Sequence, residues 1–251
     1  MSFCKEIEGL INICHANLKN SEKCQSYLRD RGVSLEDIKN NKIGFFPQNI
    51  NTLTKYVSED ILNKLSILDY SKNSDFLNYF YLIFPIYSEF GEATGISGRC
   101  LMSDEEREIV GVPKYKNSSY KKADILYGLN LSKDSILNSN NVYISEGYFD
   151  QISLMRSGIG NSVAICGTAF SQKHFLKLLR YTEKMTFILD ADEAGEKSAS
   201  RIYKKYINKG AKLRFLKVPS PYKDVDEYFA DPSKNKITFL RDFKQIIPDT
   251  W

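Results

Sequence analysis

From residue 141 onward, short apolar runs alternate with stretches of helical periodicity, and this alternation restricts the fold more than any other feature of the sequence. Four runs have the composition of strands, and three helical patterns separate them. The four runs are VYIS, SVAIC, MTFIL and AKLRFLKV. Strands that alternate with helices in this way form a mainly parallel sheet with helices on both faces. The sequence therefore predicts an α/β unit in the second half of the chain.

The preceding residues follow a different pattern. Residues 1–40 place apolar side chains near helical spacing, with Gly32 ending one helix and Ser34 and Asp37 capping the next. Aromatic and β-branched residues then flank the turn sequence SEFGEATG, which is typical of a β-rich segment. We expect three parts: an α+β N-terminal subdomain over 1–140, a Rossmann-like α/β subdomain over 141–232 and a short C-terminal helical tail over 233–251.

Charge and cysteine usage exclude some classes of protein. A net charge of +4 and a pI near 8.6 permit a nucleic-acid partner without identifying one. The five cysteines form no C-x-x-C pair, and neither histidine lies near such a pair, so the usual spacing of zinc ligands is absent from the sequence. No apolar run approaches the roughly 20 residues of a membrane span, and no signal peptide begins the sequence. We expect a cytoplasmic protein without a membrane partner.

Carboxylates follow three of the four predicted strands. They are Glu146 after VYIS, Asp190 and Asp192 after TFIL, and Asp224 and Asp226 after KLRFLKVP. Because ligands collect at the carboxyl ends of parallel strands, these acids are expected to converge at one edge of the sheet. Converging carboxylates repel one another and raise their pKa values unless a cation lies among them. Oxygen ligands suit Mg²⁺ or Mn²⁺, and a pair of such ions could serve phosphoryl transfer.

A simpler interpretation is that each acid only caps a helix or lies solvated in a loop. Asp192 and Glu193 are well suited to begin a helix at about residue 193. Capping does not explain why acids follow strand ends three times, so the metal interpretation is favoured for the set and stays open for each single acid. Behind the acids, small residues such as Gly195 and Ala199 allow the next helix to lie close to the sheet.

Three acidic segments together resemble the Toprim fold as it occurs in bacterial DnaG-type DNA primases. They are EGYFD at 146–150, DADEAG at 190–195 and KDVDEYF at 223–229. Further segments resemble, in the family's order, other parts of its RNA polymerase domain: YLRDRGVSLEDIKNNKIGFFP, FPIYSEFGEATGISGRCL, PKYKNSS and LYGL. The resemblance covers nearly all of residues 20–231. It implies a catalytic Toprim subdomain, preceded by a basic α+β subdomain that binds the template.

The resemblance also implies roles for individual residues. The catalytic, metal-binding acids would be Glu146, Asp190 and Asp192. The acids that would complete the metal centre are Asp150, Asp224 and Asp226. The residues that would contact nucleic acid or nucleotide are Arg99, Lys114, Tyr115, Lys121 and Lys122. The segment VPKYKNSSYKK mixes four lysines with two tyrosines and no acid, which suits phosphate contact and base stacking, although a solvated lysine loop stays an open alternative.

The activity that the resemblance implies is synthesis of short RNA primers on single-stranded DNA from ribonucleoside triphosphates, with two Mg²⁺ or Mn²⁺ ions. Two alternatives remain: a metal-dependent Toprim nuclease and a DNA-binding replication accessory module. The PKYKNSS and LYGL segments argue against the nuclease. The acids argue against a pure binder, because a protein that only binds polyanions gains nothing from an acidic centre without metal.

The sequence departs from the family pattern at several points. Ala191 stands where the family usually has glycine, Val225 stands where it usually has proline, and ISGR replaces the more usual paired glycines before the arginine. The family's zinc-binding module and helicase-docking module have no counterpart in this sequence. A replicative helicase and a zinc-binding module supplied by another chain therefore stay open as partners.

Overall fold

The computed structural model describes residues 3–68, 75–167 and 169–247. The chain divides into two compact units, Met1–Lys121 and Lys122–Trp251, which we call unit 1 and unit 2. This division comes before the predicted boundary at 140/141. The reason is that the helix preceding the boundary packs on the sheet of unit 2, where the Ser132 hydroxyl donates a hydrogen bond of 2.7 Å to the Ser162 carbonyl.

Unit 1 combines helices with a four-stranded antiparallel sheet. Its α-helices in the described residues are Phe3–Asn17 (α1), Glu22–Asp30 (α2), Leu35–Asn40 (α3), Ile50–Thr54 (α4), Glu59–Lys64 (α5), Asp75–Asn78 (α6) and Asp104–Val110 (α7). Its strands are Gly44–Phe45 (β1), Leu82–Tyr87 (β2), Ala93–Arg99 (β3) and Tyr115–Asn117 (β4), and they lie in the order β1-β2-β3-β4.

The helices of unit 1 begin and pack as their sequences predict. Ser34 caps α3 in a capping box, because its hydroxyl accepts from the Asp37 N–H while the Asp37 carboxylate accepts from the Ser34 N–H. Helix α1 buries side chains at helical spacing, namely Ile7, Leu10, Ile11 and Cys14. The predicted helical lead-in is therefore confirmed.

The β-rich segment is a hairpin that fixes the position of Arg99. Strands β2 and β3 pair antiparallel, and the Ser88 N–H donates a hydrogen bond of 2.8 Å to the Glu92 carbonyl across the turn. Arg99 is the last residue of β3, and in the register with β4 it lies opposite Tyr115. Two residues predicted to contact nucleic acid are thus cross-strand neighbours.

Unit 2 is a five-stranded sheet with helices on both faces. Its α-helices in the described residues are Leu129–Ser139 (α8), Tyr148–Arg156 (α9), Gln172–Leu179 (α10), Glu193–Tyr206 (α11), Val225–Ala230 (α12) and Lys236–Asp242 (α13). Its strands are Val142–Ser145 (β5), Ser162–Ala164 (β6), Lys184–Leu189 (β7), Lys212–Lys217 (β8) and Lys244–Ile246 (β9).

The strand order in unit 2 is β6-β5-β7-β8-β9, and the first four strands are parallel. These four are the runs identified in the sequence, so the predicted α/β fold with a mainly parallel sheet is confirmed. Alternate residues of β7 enter two apolar clusters, because Phe187 and Leu189 belong to one and Ile188 to the other. Since successive side chains of a strand point to opposite faces, the sheet is covered on both.

Residues 248–251 of the predicted helical tail over 233–251 lie outside the described residues, and residues 233–247 are helical only in α13. Strand β9 follows it and pairs antiparallel with β8, with Phe215 opposite Ile246. Phe239 lies in α13 and Phe243 directly follows it, and both are buried in the same apolar cluster as Tyr228. Burial of these two aromatic rings holds this segment against the rest of unit 2.

In the part of the chain that the structure describes, no helix combines the length and the apolar character that crossing a lipid bilayer requires.

Candidate active site

The predicted acids lie at the carboxyl edge of the unit 2 sheet. Glu146 directly follows β5, and Asp190 directly follows β7, which pairs with β5 in parallel. Asp224 and Asp226 follow the loop after β8, the neighbour of β7 on its other side. We call this region the acidic edge. The strand topology thus places these acids at one edge of the sheet, as the strand order predicts.

Glu146 and Asp190 are joined by a hydrogen bond. The backbone N–H of Asp190 donates to Oε1 of Glu146 over 3.0 Å, and both residues are half-buried. Burial raises the pKa of the Glu146 carboxyl, the Asp190 N–H opposes this rise, and the nearby Asp192 carboxylate adds to it. The contact holds the end of β5 and the end of β7 together at the acidic edge.

Asp192 caps α11, as the simpler interpretation of the sequence proposed. Its Oδ1 accepts a hydrogen bond of 2.8 Å from the Gly195 N–H, and the residue is exposed. A carboxylate has two oxygens and about four acceptor positions, so one cap bond leaves capacity for a ligand. Capping and ligand binding are therefore compatible at this residue.

Gly195 determines how closely α11 approaches the acidic edge. A Cβ atom at this position would lie 2.2 Å from the Asp190 carbonyl oxygen, closer than any packed carbon can approach. Gly195 is buried, and Ala199 one turn later is also buried against the sheet. The small residues behind the DAD sequence are thus a packing requirement of the acids themselves.

Asp150 is buried, and both of its carboxylate oxygens accept backbone hydrogen bonds. The Gly147 N–H donates to Oδ2 over 2.8 Å, and the Asp226 N–H donates to Oδ1 over 3.1 Å. Burial raises the pKa of Asp150 well above its usual value, and the Asp224 and Asp190 carboxylates raise it further. Asp150 therefore connects the turn after β5 to the start of α12.

Asp224 and Asp226 differ in their surroundings. Asp224 is half-buried and caps α12 through the Glu227 N–H, and burial followed by the Asp226 charge raises its pKa. Asp226 is buried and accepts a hydrogen bond of 2.6 Å from the Ser153 hydroxyl on α9. The sequence analysis missed Ser153, which lies three residues after Asp150 and so one helical turn along α9.

Two of the departures from the family pattern, at Ala191 and Val225, fit this geometry. The Ala191 N–H donates to the Lys223 carbonyl over 2.9 Å, which links the DAD sequence to the KDVDEYF sequence. Val225 is buried in the apolar cluster that includes Ile188 and Leu216. Burial of the Val225 side chain in this cluster therefore contributes to the stability of unit 2.

The donor set at the acidic edge suits a hard divalent cation. Mg²⁺ is usually bound through one or two carboxylates, with waters and substrate phosphates completing its coordination. Among the described residues, no group of three acidic, histidine or cysteine side chains converges closely enough to hold a metal ion. Burial is the largest cause of the raised pKa values of Glu146, Asp150 and Asp224, and neighbouring carboxylates raise them further. The residues present thus fit a cation bound through few protein ligands.

In unit 1, Arg99 forms a cationic cluster with aromatic rings. Its guanidinium lies 5.1 Å from the ring centre of Tyr27 and 5.0 Å from that of Tyr115, and it donates a hydrogen bond to the Tyr115 hydroxyl. Arg31 also contacts Tyr27. Its guanidinium lies over the Tyr27 ring, and its Nε donates a hydrogen bond of 2.6 Å to the Tyr27 hydroxyl. We call these four residues the Arg99 cluster.

Lys114 is exposed and belongs electrostatically to this cluster. Partial burial of its ammonium lowers its pKa, and the charges of Arg99 and Arg31 lower it further. Lys121 and Lys122 are exposed on either side of the boundary between the two units, and the contacts described for the cluster do not include them. The structure therefore brings Arg99, Lys114 and Tyr115 together, and Lys121 and Lys122 stay predictions.

Sequence reasoning missed Tyr27 and Arg31. Both lie in YLRDRG, for which the sequence indicates only a resemblance to a part of the family's RNA polymerase domain. A signal was present, since Tyr27 and Arg31 are four residues apart, the separation at which side chains on a helix meet. Which strand this pair would face could not be inferred from spacing.

Two family models match this chain. The model described as "DNA primase catalytic core, N-terminal domain" matches residues 13–133, and the one described as "Toprim-like" matches residues 143–229. Curated proteins named DNA primase are similar to it. The one from Lactococcus lactis is 29% identical over 246 residues, covering 95% of this chain and 38% of that protein. The one from Legionella pneumophila is 30% identical over 240 residues, covering 91% and 40%. The chain therefore spans well under half the length of these relatives.

Solved structures are similar over almost the whole chain. The zinc-binding and RNA polymerase domains of Aquifex aeolicus primase match with a TM-score of 0.83 and 25% identity, covering 97% of this chain and 61% of that one. The Escherichia coli primase catalytic core matches with a TM-score of 0.77 and 26% identity, covering 97% and 81%. A DnaG primase catalytic domain bound to single-stranded DNA matches with a TM-score of 0.75 and 27% identity, covering 96% and 79%.

Proposed function

Since this chain belongs to the DnaG-type DNA primases, we propose that it joins ribonucleoside triphosphates into short RNA primers on a single-stranded DNA template. The observation that carries the proposal is the acidic edge, where Glu146 and Asp190 are hydrogen-bonded at the ends of neighbouring parallel strands. Primer synthesis is a nucleotidyl transfer, in which a 3′-hydroxyl attacks an α-phosphate and pyrophosphate leaves. We propose the cytoplasm as its location.

Glu146, Asp190 and Asp192 are the residues that would hold the divalent cations. These would be Mg²⁺ or Mn²⁺, bound as a pair of ions. When bound, such cations favour ionisation of the attacking hydroxyl and neutralise charge on the phosphates. The Asp190 N–H, by donating to Glu146, keeps this glutamate at the end of β7. Asp224 extends the negative edge from the neighbouring strand, and its cap bond to the Glu227 N–H fixes its orientation.

Asp150 and Asp226 were predicted as metal ligands, and their contacts support a positioning role instead. Both oxygens of Asp150 accept backbone N–H groups, and Asp226 accepts the Ser153 hydroxyl while its own N–H donates to Asp150. These bonds tie α9 to α12. The two buried carboxylates therefore hold the loops that carry Glu146 and Asp224.

Template and nucleotide phosphates would be bound by Arg99, Lys114 and Tyr115, with Lys121 and Lys122 as further candidates. Arg99 lies between two tyrosine rings, which holds its planar guanidinium in one orientation. Lys114 is exposed beside it and can contact phosphate directly. A replicative helicase and a zinc-binding module supplied by another chain stay proposals as further partners.

The decisive experiment incubates the protein with single-stranded DNA, labelled ribonucleotides and Mg²⁺ or Mn²⁺. Template-dependent oligoribonucleotides are expected with the wild type and not with Glu146→Gln, which excludes a contaminating polymerase. A labelled DNA without nucleotides runs in parallel. Cleavage of that DNA without synthesis would reassign the acidic edge to a nuclease, and binding without either reaction would reassign the chain to an accessory module.

Mg²⁺ is expected to stabilise the protein more at pH 8 than at pH 5. Folding raises the pKa values of Glu146, Asp150 and Asp224, so these groups stabilise the metal-free protein below the ordinary carboxyl pKa near 4. That contribution is lost as the pH rises through their folded pKa values. A cation binds the ionised form, so excess Mg²⁺ should raise Tm by about 3–6 °C at pH 8, equivalent to roughly 1–2 kcal/mol.

The control for this measurement is Asp134→Asn, which removes an exposed carboxylate on α8. It should leave the Mg²⁺-dependent rise in Tm unchanged, whereas Asp190→Asn should remove most of it. An equal rise at pH 5 and pH 8, or an equal rise in both variants, would show that Mg²⁺ does not bind at the acidic edge.

Lys114→Gln is expected to weaken binding of single-stranded DNA about tenfold at low salt, because it removes one exposed contact with a phosphate. The slope of log K against log salt should become shallower by about 0.7. Fluorescence anisotropy with a labelled oligonucleotide measures both quantities. The matched control is Lys64→Gln, another exposed lysine of unit 1 that pairs with Asp60. If both variants lose affinity equally, the Arg99 cluster is not the binding surface.

A further inference from the structure

Basic residues are concentrated in one stretch of unit 2, which begins in α11 and ends at the last residue of β8. Residues 197–217 contain eight lysines and arginines and no carboxylate, whereas the rest of unit 2 has more acidic than basic residues. The eight are Lys197, Arg201, Lys204, Lys205, Lys209, Lys212, Arg214 and Lys217. The charge of unit 2 is therefore segregated and not mixed, although the whole chain is only mildly basic.

Part of this stretch lies at the edge of the sheet opposite the acids. Lys184 and Lys212 are the first residues of the parallel strands β7 and β8, and the register places them directly opposite each other. Asp190 lies past the other end of β7. Because the strands run parallel, the amino ends of β7 and β8 form a separate basic edge.

Helix α11 brings further cations to the same edge. The ammonium groups of Lys205 and Lys209 lie 5.3 and 5.6 Å from the ring centre of Tyr206, which fixes them around one buried residue at the end of α11. Arg201 is exposed four residues before Lys205 and so shares its helical face. We call Lys184, Arg201, Lys205, Lys209 and Lys212 the Lys205 surface.

Most of the positive charge of the Lys205 surface is left without a neutralising partner among the residues that the structure describes. All five side chains are exposed, and in the described residues none of them forms an ion pair with a carboxylate. Glu183 precedes Lys184 and offsets one charge only. Cations near the C-terminal end of α11 also interact favourably with the helix dipole. This interaction explains basic residues in the last turn of α11, but it does not explain Lys184 and Lys212.

We propose that the Lys205 surface binds the phosphate backbone of DNA, as a contact on unit 2 that is separate from the acidic edge. Clustered cations on an exposed surface release counterions when they meet a polyanion, which favours binding without sequence specificity. DNA supplies regularly spaced phosphates, and several lysines on one edge can contact consecutive ones. The surface would hold DNA while the acidic edge is free to act.

The test compares the full chain with Lys205→Gln/Lys209→Gln/Lys212→Gln. The matched control is Lys5→Gln/Lys19→Gln/Lys55→Gln, which removes the same charge from exposed positions of unit 1. Binding to labelled single-stranded and duplex DNA is measured by fluorescence anisotropy with EDTA and without nucleotides. Neither primer synthesis nor metal binding enters this measurement, so its outcome is independent of the proposed function.

The Lys205 surface variant should bind about tenfold more weakly, with a salt slope shallower by about 2 for single-stranded DNA, and the control should change less than twofold. A larger loss with duplex than with single strands would identify duplex as the ligand, and the reverse would identify the template strand. Equal losses in the two variants, or an unchanged salt slope, would overturn the proposal.

A second measurement does not depend on the variant folding. The wild-type protein is acetylated with and without DNA, and the modification of each lysine is read by mass spectrometry. DNA should protect Lys205, Lys209 and Lys212 several-fold more than Lys5 and Lys55. Equal protection of the two groups would contradict a DNA contact at this surface.

Discussion

Asp190→Asn is expected to lower primer synthesis by at least about 10²-fold while leaving DNA binding within twofold of the wild type. Removing one charged group that acts on the transition state typically costs this much or more. Asparagine has the shape of aspartate and keeps the backbone N–H that donates to Glu146, so the end of β7 should keep its position. Synthesis is measured with saturating template and nucleotides, and DNA binding by anisotropy.

Stability separates a catalytic effect of Asp190→Asn from a structural one. The Asp190 carboxylate raises the pKa of buried Asp150, so the two negative charges repel each other in the metal-free protein. Removing the charge should leave Tm unchanged or raise it, as is common when a group is held for function and not for folding. A lower Tm together with lost activity would assign Asp190 a structural role.

The control for Asp190→Asn is again Asp134→Asn, in which an exposed carboxylate of the same unit is removed by the same chemical change. Primer synthesis and Tm should both stay at wild-type values. If Asp134→Asn lowers synthesis as strongly as Asp190→Asn, the loss reflects net charge and not the acidic edge.

Gly195→Ala is expected to destabilise the protein by about 2–3 kcal/mol and to reduce primer synthesis at least tenfold. The added Cβ would lie 2.2 Å from the Asp190 carbonyl oxygen, which is backbone and cannot rotate away. Relief requires α11 to move from the end of β7. The movement would shift the Asp192 cap, whose carboxylate accepts from the Gly195 N–H.

The matched control is Gly9→Ala in α1, where a Cβ atom meets no other atom within 4 Å. Both changes place alanine for glycine within a helix, which by itself stabilises the helix by up to about 1 kcal/mol. Gly9→Ala should therefore stabilise unit 1 or leave it unchanged. Urea unfolding measures both variants. A Gly195→Ala protein with wild-type stability and activity would show that the close approach of α11 is not needed.

The sequence predicts the unit 2 sheet and the location of its acids because both depend on local pattern and on one topological rule. Each strand run is short and apolar, and a helical pattern long enough for a parallel crossover separates each run from the next. Given parallel strands, residues after the strand ends must meet at one edge. Glu146, Asp190 and Asp224 are accordingly at that edge, and the caps of α3 and α11 follow from residues three apart.

The function of individual carboxylates could not be predicted in the same way. Asp150 and Asp226 follow the pattern of metal ligands, yet their contacts are with a backbone N–H and a hydroxyl from residues 76 and 73 positions away. No local pattern encodes such pairings. The Arg99 cluster is similar, because Tyr27, on α2, meets the end of β3 only when unit 1 is folded.

The end of the chain shows the same division. Lys236–Asp242 has helical spacing and forms a helix, but Lys244–Ile246 becomes a strand because β8 offers an unpaired edge there. Periodicity and strand order by themselves determined the parallel sheet and its acidic edge, and the resemblance of the acidic segments indicated the family of this protein. The tertiary structure decided which oxygens of the acids are occupied, how close α11 lies to Asp190 and where the basic charges gather, because these depend on contacts between residues far apart in sequence.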